Sequence, residues 1–275
     1  MNTVPRAVGR LTLDEARDTT QRVARTFALA CRLLPADVRG DVYLLYLVFR
    51  RLDDVVDERR PYAAKRIAAV DAWAHGLPGE MTREVDILQA LAVRHPLPRE
   101  AFADFCAGMR QDIERDVLLT EADVDRYCYR VAGTVGLVMA ALLGTTDSER
   151  GRAAAASLGM AMQRTNILRD IDEDRASGRI YVAQEAIMRF GGLEPGRRAE
   201  LVRDQIARAD ALYEEGCAGI ELLLRGRRAV AAAAGMYREI LRQIEREGYG
   251  ARPGRAVVPV PRKLAAAARN VATLR

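Results

Sequence analysis

The sequence predicts an all-α protein, a helical bundle around a central cavity. Three observations carry that expectation. Alanine, leucine, arginine and glutamate dominate while aromatic residues make up only 5% of the chain, a bias toward side chains that lose little freedom in a helix. Apolar residues recur at three- and four-residue intervals along most of the 275 residues, the period of a helix with one buried face. Strict apolar–polar alternation, the mark of a half-buried strand, is scarce, and no segment repeats at a fixed period. With 49% hydrophobic and 29% charged residues, the chain has the material for a sizeable core, and 1–275 reads as a single domain.

The elements follow in order. A first helix is expected over 13–34, ended by Pro35, and a second over 37–58, ended before Pro61, because proline offers no amide hydrogen and crowds the preceding turn. Segments 65–75, 83–93 and 99–117 keep the helical period, and 121–143 runs to Gly144, a natural stop. Asp147 or Ser148 is placed to cap a helix reaching about residue 175, and Ser177-Gly178-Arg179 reads as a turn. Further helices are expected over 184–190, 196–224, 226–247 and 262–273. Bundles of this kind build ligand sites between facing helices.

Several function classes fall away on composition. Cys31, Cys106, Cys128 and Cys217 are far apart and form no Cys-x-x-Cys, so a disulfide framework or thiolate zinc site is not expected, and a cytoplasmic setting is. His75 and His95 are the only histidines, which leaves little for histidine metal sites or histidine-based triads. Residues 1–9 lack the apolar core of a signal peptide, and the longest uncharged apolar run, 131–143, is too short to span a bilayer. The net charge is +5, and 251–275 carries Arg252, Arg255, Arg262, Lys263, Arg269 and Arg275 with no acid. Such a tail is either a solvated basic face or a contact for phosphates and anionic lipid heads. Nucleic acid is not expected, since no aromatic interleaving or binding motif accompanies the charge. No protein partner is implied.

The chemistry concentrates in two acidic stripes. Tyr46, Arg50, Asp53 and Asp57 are separated by four, three and four residues, which places them on one helical face, with Leu45, Val48, Phe49, Leu52 and Val56 as apolar flanks. Gln163, Asn166, Asp170 and Asp174 form a second face of the same kind, with Arg169 beside it. Carboxylates at i and i+4 repel by a few tenths of a kcal/mol, ~0.2–0.5 on an exposed helix, and by more in a half-buried setting unless a cation compensates. A hard cation such as magnesium, with manganese as the alternative, takes oxygen ligands and shares them with phosphates. The plainer reading is a solvated acidic helix end near Pro61 and a surface helix bridged by Arg164, Arg169 and Arg175. Two such stripes in one chain favour the metal reading. They imply a substrate with a phosphate group and an apolar remainder, whose leaving diphosphate departs from an allylic carbon inside a dry cavity.

These residues resemble the squalene and phytoene synthases, which join two prenyl diphosphates head to head. Arg25-Thr26-Phe27-Ala28-Leu29-Ala30 followed by Leu33-Leu34-Pro35 is similar to the family's N-terminal Ser-Phe segment, with Thr26 replacing serine. Tyr46-Leu47-Val48-Phe49-Arg50 with Asp53-Asp54-Val55-Val56-Asp57 resembles its first aspartate-rich motif. Tyr127-Cys128-Tyr129-Arg130-Val131-Ala132-Gly133-Thr134-Val135-Gly136 resembles its central segment. Asn166-Ile167-Leu168-Arg169-Asp170, Glu173-Asp174 and Gly178-Arg179-Ile180-Tyr181 resemble its second motif. The likeness runs from about residue 20 to residue 263.

The resemblance implies the isoprenoid synthase fold and a two-step condensation through a cyclopropylcarbinyl diphosphate. It implies Asp53, Asp57, Asp170 and Asp174 as magnesium ligands, with Asn166 and Gln163 supporting the second pair. Arg50 and Arg169 would hold diphosphate oxygens, and Tyr127 would lie near the reacting carbons. Phe27, Tyr46, Tyr181 and Tyr237 match cavity aromatics, for which ordinary core packing is the alternative. Arg255 and Lys263 match basic residues that close over phosphate. Gly133 and Gly136 are expected to thin their helix so that a prenyl chain can pass, against close helix packing as the alternative.

Within the family, 131–136 and the overall length fit the carotenoid branch, while Tyr46-Leu47-Val48-Phe49-Arg50 and Ala183-Gln184-Glu185 lean toward squalene synthases. The segment between Glu58 and Arg83 is short, and the C-terminal membrane anchor of the eukaryotic squalene synthases is not expected. Two geranylgeranyl diphosphates giving phytoene are the first expectation. The alternatives are C15 farnesyl diphosphate giving presqualene diphosphate, dehydrosqualene or squalene, and a class I terpene cyclase or other prenyltransferase with the same metal site. NADPH is not expected. A non-enzymatic relative would be expected to lose aspartates, and all four remain. A long apolar substrate points to a cytoplasmic protein with a peripheral contact to a membrane surface.

Overall fold

A computed structural model describes residues 10–274. The chain starts with α1 (Arg10–Val23) and α2 (Arg25–Cys31), then the long α3 (Ala36–Asp57). The helices α4 (Ala63–Ala74), α5 (Arg83–Ala92) and α6 (Arg99–Glu114) follow. Next come α7 (Glu121–Cys128), a π-helical turn (Tyr129–Gly133), α8 (Thr134–Leu143) and the longest helix, α9 (Ser148–Ala176). The remainder is α10 (Gln184–Phe190), α11 (Ala199–Ala218), a short 3₁₀ turn (Ile220–Leu222), α12 (Arg227–Arg246) and α13 (Val260–Ala272). Among the described residues no strand forms; one isolated antiparallel bridge joins Thr145 and Leu223. The all-α expectation is met.

Packing explains which helices reach the middle. Around α3 the side chains of Leu45, Leu47, Val48 and Leu52 are fully buried, and each such side chain contributes roughly 1.5–3 kcal/mol of transfer free energy. Helix α9 lies against α8, α11, α12 and the π turn. Its contact with the π turn and α8 is backbone on backbone: a Cβ built on Gly136 would fall 2.1 Å from the Ala155 carbonyl oxygen, and one on Gly159 would fall 2.2 Å from that of Ala132 in the π turn. A buried ionic strut fixes α7 to this pair. Arg164 of α9, 3% exposed, donates to Asp125 (2.6 Å), Glu121 (3.0 Å) and Gln205 of α11 (2.8 Å). A capping box of Thr120 and Asp123 starts α7, and the Asp147 side chain caps α9 by accepting from Arg150 N.

The boundaries depart from expectation in four places. The helix expected over 13–34 breaks at Ala24 into α1 and α2. The helix expected over 99–117 stops at Glu114, where Arg115 turns left-handed at φ 58°. The helix expected over 121–143 is interrupted by the π turn, where Thr134 N–H bonds back to the Tyr129 carbonyl. The helix expected over 196–224 gives way after Ala218 to the 3₁₀ turn. The expectation for Gly133 and Gly136 is also corrected. The space at Gly136 is taken by the backbone of α9, with Ala155 O 2.1 Å from a Cβ there, and a Cβ on Gly133 would crowd the Tyr129 ring at 3.0 Å and Met160 of α9 at 3.3 Å. Close helix packing, not passage of a chain, is why they are glycine.

Candidate active site

A cavity of about 720 Å³ lies between α2, α3, the π turn with α8, α9 and α12, toward the upper end of the ~300–1,000 Å³ typical of small-molecule sites. One end is apolar, with Leu34, Val42, Leu45, Met139, Leu143 and Leu223 in its walls. The other end is polar and collects the residues the sequence singled out. Phe27, Tyr46, Arg50, Asp53, Tyr127, Gln163, Asn166, Arg169, Tyr237, Arg255 and Lys263 all line the cavity. The Phe27 and Tyr46 rings meet at 5.3 Å. Asp57, Asp170, Asp174 and Tyr181 are not among the cavity's lining residues: Asp170 meets the lining Arg255 at 3.1 Å, Tyr181 donates to the lining Asp112 at 2.9 Å, Asp57 acts on the lining Asp53 through its charge, and Asp174 neighbours Asp170 and Asp57. The two histidines stand elsewhere: His95 bonds Asp41 at 2.6 Å, and His75 ends α4.

The two aspartate pairs face each other. Burial and the nearby Asp57 push Asp53 up to about 7; Arg50 opposes the shift. Its carboxylate can be reached from the cavity, with 46% of the side chain accessible, but protein encloses that space and little bulk hydration remains. Asp174 is likewise pushed up to about 7, by burial and by Asp170, with Asp57 adding to it from the opposite helix. Guanidinium groups hold this negative charge. Arg50 contacts Asp54 and lies 3.4 Å from Asp53. Arg169 donates twice to Asp170 (2.8 and 2.6 Å), which also meets Arg255 at 3.1 Å. Arg179 spans from the segment after α9 to Asp57 at 2.5 Å. Asp172 points off this face into a bidentate pair with the buried Arg198 (2.6 and 2.7 Å), which holds it below the usual carboxylate range.

Two residues here escaped the sequence reading. Asp112 of α6 accepts from the hydroxyls of Tyr127 (3.2 Å) and Tyr181 (2.9 Å), whose rings stack at 5.0 Å. Burial pushes Asp112 up to about 6, while the Tyr181 hydrogen bond and Arg179 pull it down. Phe105, Met109 and Asp112 follow at spacings of four and three, so the signal was an acid set into an apolar stripe. Arg179 is the other; it lies in the Gly178-Arg179-Ile180-Tyr181 motif.

The donor set at the polar end is all oxygen, as a hard divalent cation requires. The buried Asn166 Oδ1 has no hydrogen-bond partner, and neither does Arg50 Nε. An acceptor and a donor left open in one cavity match a cation and an anionic oxygen respectively. Among the described residues no three His, Cys, Asp or Glu side chains converge into a ready-made cage.

The squalene/phytoene synthase family model matches residues 20–262. This chain belongs to that family. Its relatives include the 15-cis-phytoene synthase of Synechococcus elongatus, 36% identical over 278 residues and covering 91% of this chain and 89% of the relative. The phytoene synthase of Thermus thermophilus is 37% identical over 238 residues, covering 82% and 80%. Among solved structures, a dehydrosqualene synthase in complex with ligand superposes with a TM-score of 0.86 at 28% identity, covering 96% of both chains. A squalene synthase from Alicyclobacillus acidocaldarius gives 0.75 at 25% identity, covering 88% of this chain and 95% of the other. The fold is the terpenoid synthase fold of this family, and no described helix is long and apolar enough to cross a membrane.

Proposed function

We propose that this chain joins two geranylgeranyl diphosphates head to head and releases phytoene, with 1–275 acting as one catalytic unit. The observation that carries the reading is one cavity with Asp53 in its polar wall, the facing Asp57, Asp170 and Asp174 beside that wall, and apolar side chains in the rest of its lining. The phytoene synthase names of relatives matched over most of their length support the C20 substrate. Asp53 with Asp57, and Asp170 with Asp174 and Asn166, are the residues to hold magnesium, or manganese in its place, with Gln163 bracing Asn166 (3.3 Å). The bound ion would draw charge onto the departing diphosphate.

The chain's own residues do the rest. Arg50, Arg169, Arg255 and Lys263 bind diphosphate oxygens, for which the guanidinium fork is well shaped. Departure of one diphosphate with the C–O electron pair leaves an allylic cation. The double bond of the second molecule supplies the electron pair for the new C–C bond, and loss of a proton closes the cyclopropane. Departure of the second diphosphate, rearrangement and a further proton loss give the linear hydrocarbon. No hydride is consumed, so NADPH has no part in this balance. The faces of Phe27, Tyr46, Tyr127, Tyr181 and Tyr237 tolerate the cation and exclude water. Asp112 holds the Tyr127 and Tyr181 hydroxyls so that both rings keep one orientation. Arg179 steadies Asp57.

Purified protein given magnesium and geranylgeranyl diphosphate should yield a C40 hydrocarbon by mass spectrometry. Products carrying one prenyl unit would assign a cyclase or a different prenyltransferase instead. A second reading, with C15 farnesyl diphosphate, is favoured by the close superposition on the dehydrosqualene synthase; its mark is a C30 product from the same assay.

A further inference from the structure

The strap between α12 and α13, residues 247–259, forms part of the cavity wall through Arg255, Ala256, Val257 and Val258. It has no regular structure. Gly248, Tyr249, Gly250 and Gly254 have φ of 83°, 57°, 77° and 112°, and among the described residues 251–258 make no backbone–backbone hydrogen bond. A segment without such bonds keeps one position only if other groups supply partners for its backbone.

Those partners come from one buried ion pair. Arg198 stands just before α11 and is 2% exposed. A guanidinium has five N–H groups, and here each finds an acceptor. Two go to the Asp172 carboxylate at 2.6 and 2.7 Å. Two go to carbonyls of the strap, Gly250 O at 3.2 Å and Arg252 O at 3.4 Å, and the last to Leu193 O at 3.2 Å. Asp172 also reaches the strap itself, accepting from Gly254 N–H at 2.8 Å. The fit leaves no slack, since a Cβ on Gly250 would collide with Arg198 Nε. One residue beyond Gly254, Arg255 meets Asp170 at 3.1 Å and Glu173 at 3.4 Å. Residues 170 and 172 point to opposite sides of α9, being two positions apart at about 100° each. The strap thus crosses the end of α9, tied to Asp172 on one side and presenting Arg255 on the other.

We infer that Asp172 and Arg198, neither of which lines the cavity, form a clasp that positions Arg255 for the diphosphate. They are positioning residues, and the inference rests on the prenyl diphosphate reading above. With the strap clasped, only the Arg255 side chain has to move from Asp170 to a phosphate oxygen. With the strap loose, the whole segment has to be ordered when the diphosphate binds, and that entropy is lost from affinity. The clasp gives the acid at 172 a task of its own, between two acids that face the cavity.

The test is a double-mutant cycle read by calorimetry of inorganic diphosphate binding in magnesium, with turnover of geranylgeranyl diphosphate measured beside it. Asp172→Asn should weaken diphosphate binding roughly tenfold, and in an Arg255→Ala background the same substitution should change it by less than about twofold. In turnover it should raise KM more than it lowers kcat. Arg198→Lys keeps the charge but cannot span all five acceptors, and it should act in the same way. Equal weakening with and without Arg255, or none in a folded variant, overturns the inference, because a pair that merely supports the fold would not act through Arg255. Hydrogen exchange on the wild type needs no substitution: the Gly254 amide should be protected before any ligand is added, and exchange at the rate of an open loop overturns the clasp. Turnover without the coupling sinks the clasp alone; the coupling in diphosphate binding without turnover of any prenyl diphosphate sinks the enzymatic reading alone.

Discussion

Asp112 holds two phenols with one carboxylate, and its proton affinity gives that arrangement a pH signature. Its folded-state value of about 6 lies above the ordinary 3.8. Between those two values the native chain holds a proton that the unfolded chain has released, so this group's contribution to stability grows as pH falls from about 6 toward 4. Above pH 6 the ionised, half-buried carboxylate destabilises the fold, by on the order of 1–2 kcal/mol after allowance for its partial exposure. Asp112→Asn should therefore raise the melting temperature at pH 8 relative to wild type and have little effect at pH 4. Equal shifts at both pH values would remove the ionised carboxylate as the cause. Residue by residue, the acidic stripes were readable because a spacing of three and four fixes one helical face, whatever the tertiary structure. Asp112 was not: its partners Tyr127 and Tyr181 come from two other segments, and only the folded chain brings their hydroxyls to it. Arg179 escaped for the same reason, since its partner Asp57 is 122 positions away.

At the scale of elements, the contact of α9 with the π turn and α8 sets the rigidity of one cavity wall. Gly159→Val would drive a branched side chain into the Ala132 carbonyl, 2.2 Å from the Cβ position. Denaturant unfolding should show a loss of about 3 kcal/mol or more. Gly40→Ala is the contrasting case. A Cβ there meets only the flexible end of Leu13 at 3.4 Å, and removing a helical glycine should stabilise by about 0.5–1 kcal/mol. If the two substitutions cost the same, the backbone contact is not what requires glycine at 159. Helix positions were legible from apolar spacing and proline. The interruptions were not. Ala24 ends α1 although alanine is the best helix former, because the chain has to turn there to bring Thr26 and Phe27 to the cavity. The π turn inserts one residue's worth of slip just where the charged face of α7 ends at Arg130 and an uncharged run begins, so the periodicity beyond it carried no mark of it.

For the molecule as a whole, the fold concentrates negative charge on two opposing helices and leaves it underhydrated. A ligand that binds only the native chain raises its stability by mass action. Magnesium with inorganic diphosphate, each about 100-fold above its dissociation constant, should raise the melting temperature by roughly 5–10 °C. The shift should be lost in Asp53→Asn and Asp170→Asn, which should still fold. An undiminished shift in both variants would place the ligands elsewhere. The arginines that face these acids add a condition on how such ligands arrive. Asp57 is already matched by Arg179, and Asp170 by Arg169 and Arg255. A lone cation reaching these carboxylates would have to evict a guanidinium, which would then stand in the cavity without a counter-charge. A lone anion would have to pull the same guanidinium away from its carboxylate. Entering as a pair, cation and diphosphate exchange partners with the protein and leave no charge stranded. On the proposed reading, joint entry of cation and diphosphate would let Asp57 and Asp170 exchange partners without stranding a charge, so the chain would favour the salt of its substrate over either ion alone.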